Sequence, residues 1–295
     1  MTKNRDYAAY LYILPAFLVI AIFQFFPIFF SLYMSFFDWN LITPRVFIGI
    51  GNYVAMVKEP LFWRSVFNTV YFSAGSVILG LAASLWIAVF FNRKIRGIGF
   101  YRSIYFIPFI TSLIAASIVW QWIFDSKAYG LLNWFVTTIS PTTAPQKWLE
   151  NEALAMPSII VMSIWRTLGY NALIFLTRLQ NIDQSYYEAA EVDGATEWQK
   201  FRRITWPLLT PTTLFLLIVS TISSFQVFGQ IYIMTPFGGP RQSTNVLVYY
   251  LYQNAFENFD MGYACSIAYF IFGVLLLLTL IQRKVLGAKA SEMSG

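Results

Sequence analysis

The sequence contains no histidine, one cysteine (Cys265) and few charges: only 12% of its 295 residues are Asp, Glu, Lys or Arg, about half the share of an ordinary soluble domain. Without histidine there is no Ser-His-Asp triad, no His-ligated zinc and no imidazole acid–base chemistry. A lone cysteine forms neither an internal disulfide nor a thiolate cluster. So little charge does not cover the surface of a water-soluble fold, and the composition points to lipid as the surrounding solvent. What fills the chain instead is apolar: 58% of residues, with 29 Phe, 18 Tyr and 10 Trp.

Six stretches are long and apolar enough to cross about 30 Å of hydrocarbon, near 8–36, 66–91, 103–124, 154–177, 208–235 and 263–283. The pattern predicts an all-α integral membrane protein, a single transmembrane domain over 1–295. The first stretch exceeds the apolar core of a signal peptide and has no small-residue cleavage site, so a retained helix is expected. Pro15 and Pro27 lie inside it and predict a kink or a break. The links sort by charge. The N-terminus (Lys3, Arg5), the 92–102 link (Arg93, Lys94, Arg96, Arg102), the 178–206 link (Arg178, Lys200, Arg202, Arg203) and the C-terminus (Arg283, Lys284, Lys289) hold thirteen basic residues. The alternate links hold six: Arg45, Lys58, Arg64, Lys127, Lys147 and Arg241. Basic residues stay on the cytoplasmic side, which places both termini there and agrees with six spans. A nucleic-acid surface is disfavoured, because the charge flanks apolar spans and does not gather on one polar face.

All fourteen acidic residues fall in links or termini, and Arg166 alone is charged within a span. Ion-coupled carriers and proton relays usually keep carboxylates or histidines in the membrane, so a self-powered carrier or channel is the weaker alternative. An intramembrane hydrolase lacks a base. No GxxxxGK[ST] phosphate loop is present, so ATP hydrolysis is not expected on this chain.

The segment 183–207 predicts two short helices with a sharp turn between them. Asp183 is placed to cap the first, Gly194 to end it in a left-handed conformation, and Thr196 with Gln199 to form a capping box for the second; Pro207 ends the link. Ala189 and Ala190 leave a smooth patch where another backbone can approach. Two defined helix ends suggest a docking element, since a connector needs fewer residues.

Glu188-Ala189-Ala190, then three residues, Gly194, nine residues, and Ile204-x-x-Pro207 resemble the EAA loop of ABC importer permeases. The family usually has Ile-x-Leu-Pro; here Trp206 replaces the leucine and keeps an apolar residue. The resemblance covers essentially the whole chain in order. Ser31-Leu32-Tyr33-Met34-Ser35-Phe36, Asp38-Trp39-Asn40, Gly51-Asn52-Tyr53, Asn68-Thr69, Gly97-x-Gly99-Phe100-x-Arg102, Gly130-Leu131-Leu132-Asn133, Gly238-Gly239-Pro240 and Phe259-x-x-Gly262-Tyr263-Ala264 are similar to carbohydrate permeases of the maltose and glycerol-phosphate type. The chain resembles the shorter six-span subunit that pairs with a second permease.

That resemblance implies a type I ABC importer architecture in a bacterial-type inner membrane. It implies two ATP-binding-cassette subunits that hold ATP and magnesium, with no cofactor on this chain, and a second, homologous permease subunit forming a heterodimer. It further implies an extracytoplasmic binding protein that delivers a sugar or oligosaccharide; the alternatives are a non-sugar or anionic solute of the same importer class. Glu188, Ala189, Ala190, Gly194, Ile204 and Pro207 would dock the ATPase.

For the substrate path, Ser220, Ser223, Ser224, Val227 and Gln230 recur at helical spacing with Gln226 nearby, and resemble the sugar-lining part of that helix in maltose-type permeases. Serine in a membrane helix is also helix–helix glue, and both readings stand. The fourth span adds Trp165, Arg166, Leu168, Gly169, Tyr170 and Asn171, where aromatic faces beside amides suit sugars. Arg166 needs a partner or a watery cavity: an acidic sugar, or carbonyls of a neighbouring helix. The link around Gly130–Ser140 is expected to hold a short amphipathic helix.

Overall fold

A computed structural model describes residues 3–92 and 97–292. Arg93, Lys94 and Arg96 lie outside the described residues, as do the side chains of Lys3, Arg5 and Lys289. The chain is almost wholly helical: α1 (Lys3–Ile20), α2 (Phe26–Met34), a two-residue-per-strand hairpin β1 (Phe37–Asp38) and β2 (Val46–Phe47), α3 (Gly51–Lys58), α4 (Pro60–Phe91), α5 (Ile98–Ile110), α6 (Leu113–Ile123), α7 (Leu131–Ile139), α8 (Glu152–Gln180), α9 (Gln184–Val192), α10 (Glu197–Lys200), α11 (Trp206–Phe225), α12 (Gly229–Met234), α13 (Leu247–Tyr252) and α14 (Met261–Glu292). Five helical runs are long and apolar enough to cross a membrane. A sixth is obtained when α5 and α6, bent by 99°, count as one broken span. The expected six spans are met in that form.

Three departures from uninterrupted helices have local causes. At Pro27 the chain does not break: one wide turn over Ala21–Phe25 joins α1 to α2, which makes room for a ring that would otherwise press on the carbonyl four residues earlier. The stretch expected as a continuous helix over 103–124 breaks at Thr111 and Ser112, both extended. Pro108 has no N–H to give the ladder, and at the break the Ile107 carbonyl accepts from both the Thr111 N–H at 3.2 Å and the Thr111 hydroxyl at 2.9 Å. The stretch expected over 208–235 stops at Phe225 and resumes at Gly229.

Packing divides the chain into two compact units. The first comprises residues up to Phe62 with Tyr250–Ile271. In it Asn52, buried, donates from Nδ2 to the carbonyls of Ser35 and Phe37, each at 2.9 Å, and Tyr53 shares a 2.8 Å hydrogen bond with the Ser35 hydroxyl. A Cβ on Gly262 would overlap the Phe37 carbonyl, so glycine lets α14 start against the hairpin. The second unit comprises Trp63–Tyr249 with the chain from Phe272 on. Its core has three clusters: around Phe72, Ile159 and Tyr249, around Phe175, Leu209 and Leu216, and around Phe124, Met162 and Met234.

Within this second unit Asn68 Nδ2 donates to the carbonyls of Gln242 and Asn245 at 2.9 Å, and the Leu247 N–H donates to Thr69 Oγ1 at 2.9 Å. They pin a loop in which Phe237, Gly238, Gly239, Arg241 and Gln242 all have positive φ. The helix expected near 130–140 is α7. Its inward Asn133 donates to the Asp125 and Gln146 carbonyls and accepts from the Gln146 N–H and Trp148 Nε1. Its outward face carries Leu131, Trp134, Phe135 and Ile139, all exposed.

Helices α5 and α8 meet at Gly169, where a Cβ would overlap the Tyr105 carbonyl. Gly169→Ala is therefore expected to lower stability by about 1–3 kcal/mol through forced separation of the helices. An unchanged thermal midpoint for the detergent-solubilised variant would remove this contact from the account.

Candidate functional site

The first candidate site is the link between α8 and α11. The Ser185 N–H donates to Asp183 Oδ1 at 2.9 Å, which starts α9 and holds the Asp183 carboxyl below its usual range. Gly194 has φ +73°, and Ala195 N–H closes the helix end on the Ala190 carbonyl at 2.9 Å. The capping box is complete: Thr196 N–H donates to Gln199 Oε1 at 2.8 Å and Gln199 N–H to Thr196 Oγ1 at 3.4 Å. A wide turn over Phe201–Thr205 then leads into α11.

α9 buries none of its residues. Glu188 and Ala189 are exposed, Ala190 half-buried, Gly194 exposed, and Ile204 and Pro207 half-buried at the base. The charges of the link are unequal in use. Lys200 is buried, with its ammonium 2.8 Å from Glu191 Oε1 and 2.5 Å from Glu197 Oε1. Tyr187 shares a 2.8 Å hydrogen bond with Thr205. Glu188 meets no cation among the described residues. α9 is thus held to the start of α11 by two side-chain ties, and Glu188 remains outward and open.

The second candidate site is a partly open cavity of about 330 Å³ lined by α4, α5, α8 and α11, with Leu113 at the start of α6 and the turn into α12. It brings together Arg166, Asn171, Ser220, Ser223, Ser224, Gln226, Val227 and Gln230 from the residues expected on the substrate path. Trp165, Leu168 and Gly169 lie outside its lining. Trp165 packs edge-on against Trp120 at 5.5 Å, the Leu168 carbonyl accepts from Ser84 at 3.2 Å, and Gly169 faces α5. The serines divide between the two readings given for them. Ser224 bonds Ser73 at 2.6 Å and the Thr221 carbonyl at 2.8 Å, tying α11 to α4. Ser220 and Ser223 make no side-chain hydrogen bond among the described residues, and their hydroxyls stay available to the cavity.

Sequence reasoning missed Ser163, Thr167, Phe109, Phe72 and Ser76 in the lining. Ser163, Thr167 and Asn171 recur every four residues along α8, a signal that was present. Phe109 had none, because it arrives from α5 to stack on Tyr170, centroids 4.5 Å apart and planes 13° from parallel. Gln230 donates to Ser163 Oγ at 3.3 Å across the cavity. Arg166 is half-buried, its Nε enclosed and without an acceptor. A wider cleft of about 550 Å³ lies near Gln121, Lys127, Glu150 and Gly239; it contains none of the expected residues.

A bundle of apolar helices with a polar internal cavity and a projecting helical link is the form of a membrane transport component. Residues 80–287 match the family described as binding-protein-dependent transport system inner membrane component, and the chain belongs to that family. It is therefore an inner-membrane permease subunit of binding-protein-dependent transport and not an enzyme. It is 35% identical over 285 residues to the lactose transport system permease protein LacF of Rhizobium radiobacter, covering 96% of this chain and 95% of that protein. It is 33% identical over 291 residues to the arabinooligosaccharides transport system permease protein AraP of Bacillus subtilis, covering 98% and 91%. In fold it matches a chain from the crystal structure of a bacterial ABC transporter involved in the import of the acidic polysaccharide alginate. The TM-score there is 0.83 at 23% identity, with 96% of this chain and 97% of that one covered.

Replacing Lys200 by Met removes the ion pair to Glu191 that ties α9 to α10, along with the pair to Glu197 inside α10. Since the carboxylates are exposed at their far ends, the expected cost is modest, about 1 kcal/mol. Amide hydrogen exchange across 184–192 should rise roughly fivefold; exchange unchanged from the parent would mean that the lysine does not hold this helix.

Proposed function

We propose that this chain is one of two permease subunits of an ATP-driven importer, moving a sugar or oligosaccharide that an extracytoplasmic binding protein delivers. ATP and magnesium are held by two separate ATP-binding-cassette subunits, and this chain carries no cofactor. The carbohydrate assignment is supported by the relatives named for lactose and arabinooligosaccharides and by a cavity that sets open hydroxyls and amides beside a stacked aromatic pair. The thirteen-to-six bias of basic residues supports termini and the 178–206 link on the cytoplasmic side, where the ATPase sits.

The observation that carries the coupling role is the projecting α9, fixed at its base and presenting Glu188-Ala189-Ala190 outward. The two alanines permit close approach of a groove on the ATPase, and Glu188 is free to pair with a cation there. Gly194 sets the turn, and Ile204 and Pro207 the angle at which the link joins α11. ATP-driven closure of the ATPases then shifts the permease pair between inward- and outward-facing states by differential stabilisation. Arg166, Asn171, Ser220, Ser223, Gln226 and Gln230 line the path, and Val227 contributes an apolar edge; Ser224 holds α11 in place. Trp165, Leu168 and Gly169 support the wall from behind.

Purification of the tagged chain from its native membrane should bring down an ATPase and a second permease. Glu188→Ala should leave the cavity intact and cut coupled uptake at least tenfold, in keeping with a loss of about 2–5 kcal/mol when one partner of a buried pair is removed. A Glu188→Ala complex with normal ATP-dependent uptake would sink the assignment of α9, and a transport-competent single chain would sink the importer reading as a whole.

A further inference from the structure

Arg166 sits near the middle of α8, in the wall of the polar cavity. A cation at that depth costs about 2.5–3.5 kcal/mol on insertion scales unless something compensates it. No carboxylate among the described residues does. The helices that wall the cavity carry a carboxylate only at their outer ends, as Glu152 does on α8. No ion pair reaches Arg166 among the described residues, and its Nε is enclosed without an acceptor. The other polar groups around it are neutral: Asn171, Ser220, Ser223 and Gln226.

One fixed positive charge among neutral donors and acceptors, beside a flat aromatic pair, is complementary to a saccharide bearing an oxyanion. Resting on the reading of this cavity as the substrate path, we propose that the transported saccharide is anionic and that Arg166 receives its charged group. The guanidinium fork takes a carboxylate through two parallel N–H···O bonds, or a phosphate through similar ones. The hydroxyls and amides take the ring hydroxyls, and the Phe109–Tyr170 stack covers the apolar face of a ring. A neutral sugar fills the same hydroxyl sites but leaves the charge uncompensated, so the site discriminates by charge before it discriminates by stereochemistry.

The test uses the purified importer complex in nanodiscs with three probes: glucuronate, glucose and glucose 6-phosphate, each titrated by equilibrium dialysis. The parent should bind glucuronate at least tenfold more tightly than glucose. Arg166→Gln should erase that preference, bringing the glucuronate-to-glucose affinity ratio to within about twofold of one, and Arg166→Lys should retain part of it. Glucose 6-phosphate binding like glucuronate assigns oxyanions in general; weaker phosphate binding assigns a carboxylate. Equal affinity for glucuronate and glucose in the parent, no measurable glucuronate binding, or a preference that survives Arg166→Gln would each overturn the proposal. A separate measurement keeps the two readings apart. If proteoliposomes show ATP-dependent uptake of neutral sugars without a charge preference, the sugar-importer reading stands and this proposal falls. If no saccharide is taken up, the substrate reading itself falls. Gel filtration of both variants with their partner subunits checks that they assemble.

Discussion

A peptide group in hydrocarbon has no water to bond, and the arrangement of this chain follows from that constraint. At several places where a helix stops or a loop runs, a polar side chain bonds the backbone there. Thr111 does so at the break before α6, Asn68 and Thr69 along the loop that leads into α13, Asn133 beneath α7, and Asn52 beside the hairpin. Many of the remaining serines and threonines bond back to their own helix, as Ser76, Ser84 and Ser117 do. In a chain with so little charge, polar side chains are a scarce resource spent chiefly on the backbone. Those that escape this duty stand out, and Arg166, Ser220, Ser223 and Gln226 gather in one cavity.

The same accounting gives physical content to the short motifs by which the chain resembles carbohydrate permeases. Asn68-Thr69 and Gly238-Gly239-Pro240 are far apart in sequence but belong to one hydrogen-bonded unit, in which the first pins the loop whose positive φ values the glycines permit. Gly51-Asn52-Tyr53 and Gly262 meet in the same way around the Ser35–Phe37 backbone. These motifs hold irregular backbone in place. The 183–207 link differs from them, since its α9 buries none of its residues.

How much could be seen beforehand depended on whether the determining interaction was local. The two helices of the link, their caps and the turn at Gly194 follow from residues within four positions of one another, and all were legible. The breaks were not. Pro108 precedes a 99° bend, yet Pro157 and Pro211 lie in helices that continue. What differs is tertiary: α5 is pressed on Gly169, and a Cβ on Gly229 would meet Leu113 at 2.8 Å. For the cavity, helical phase correctly grouped Ser220, Ser223 and Ser224. Val227 and Gln230 reach it by another route, through the turn that ends α11, so the assumed continuous helix misdescribed how they arrive. Trp165 and Leu168 share α8 with Arg166 but point to other neighbours, a distinction of a few tens of degrees that sequence spacing does not resolve.

The two ties that fasten α9 have a mechanical meaning. Lys200 and Thr205 both belong to the stretch that runs without a loop into α11, and α11 carries Ser220 and Ser223 at its far end. The ties and the continuous helical run from Glu197 to Phe225 therefore connect α9 to the cavity wall with no intervening loop. Along that run the wide turn at Phe201–Thr205 departs from the α-helical hydrogen-bond pattern, just ahead of Pro207, and it holds Thr205, the anchor of the second tie.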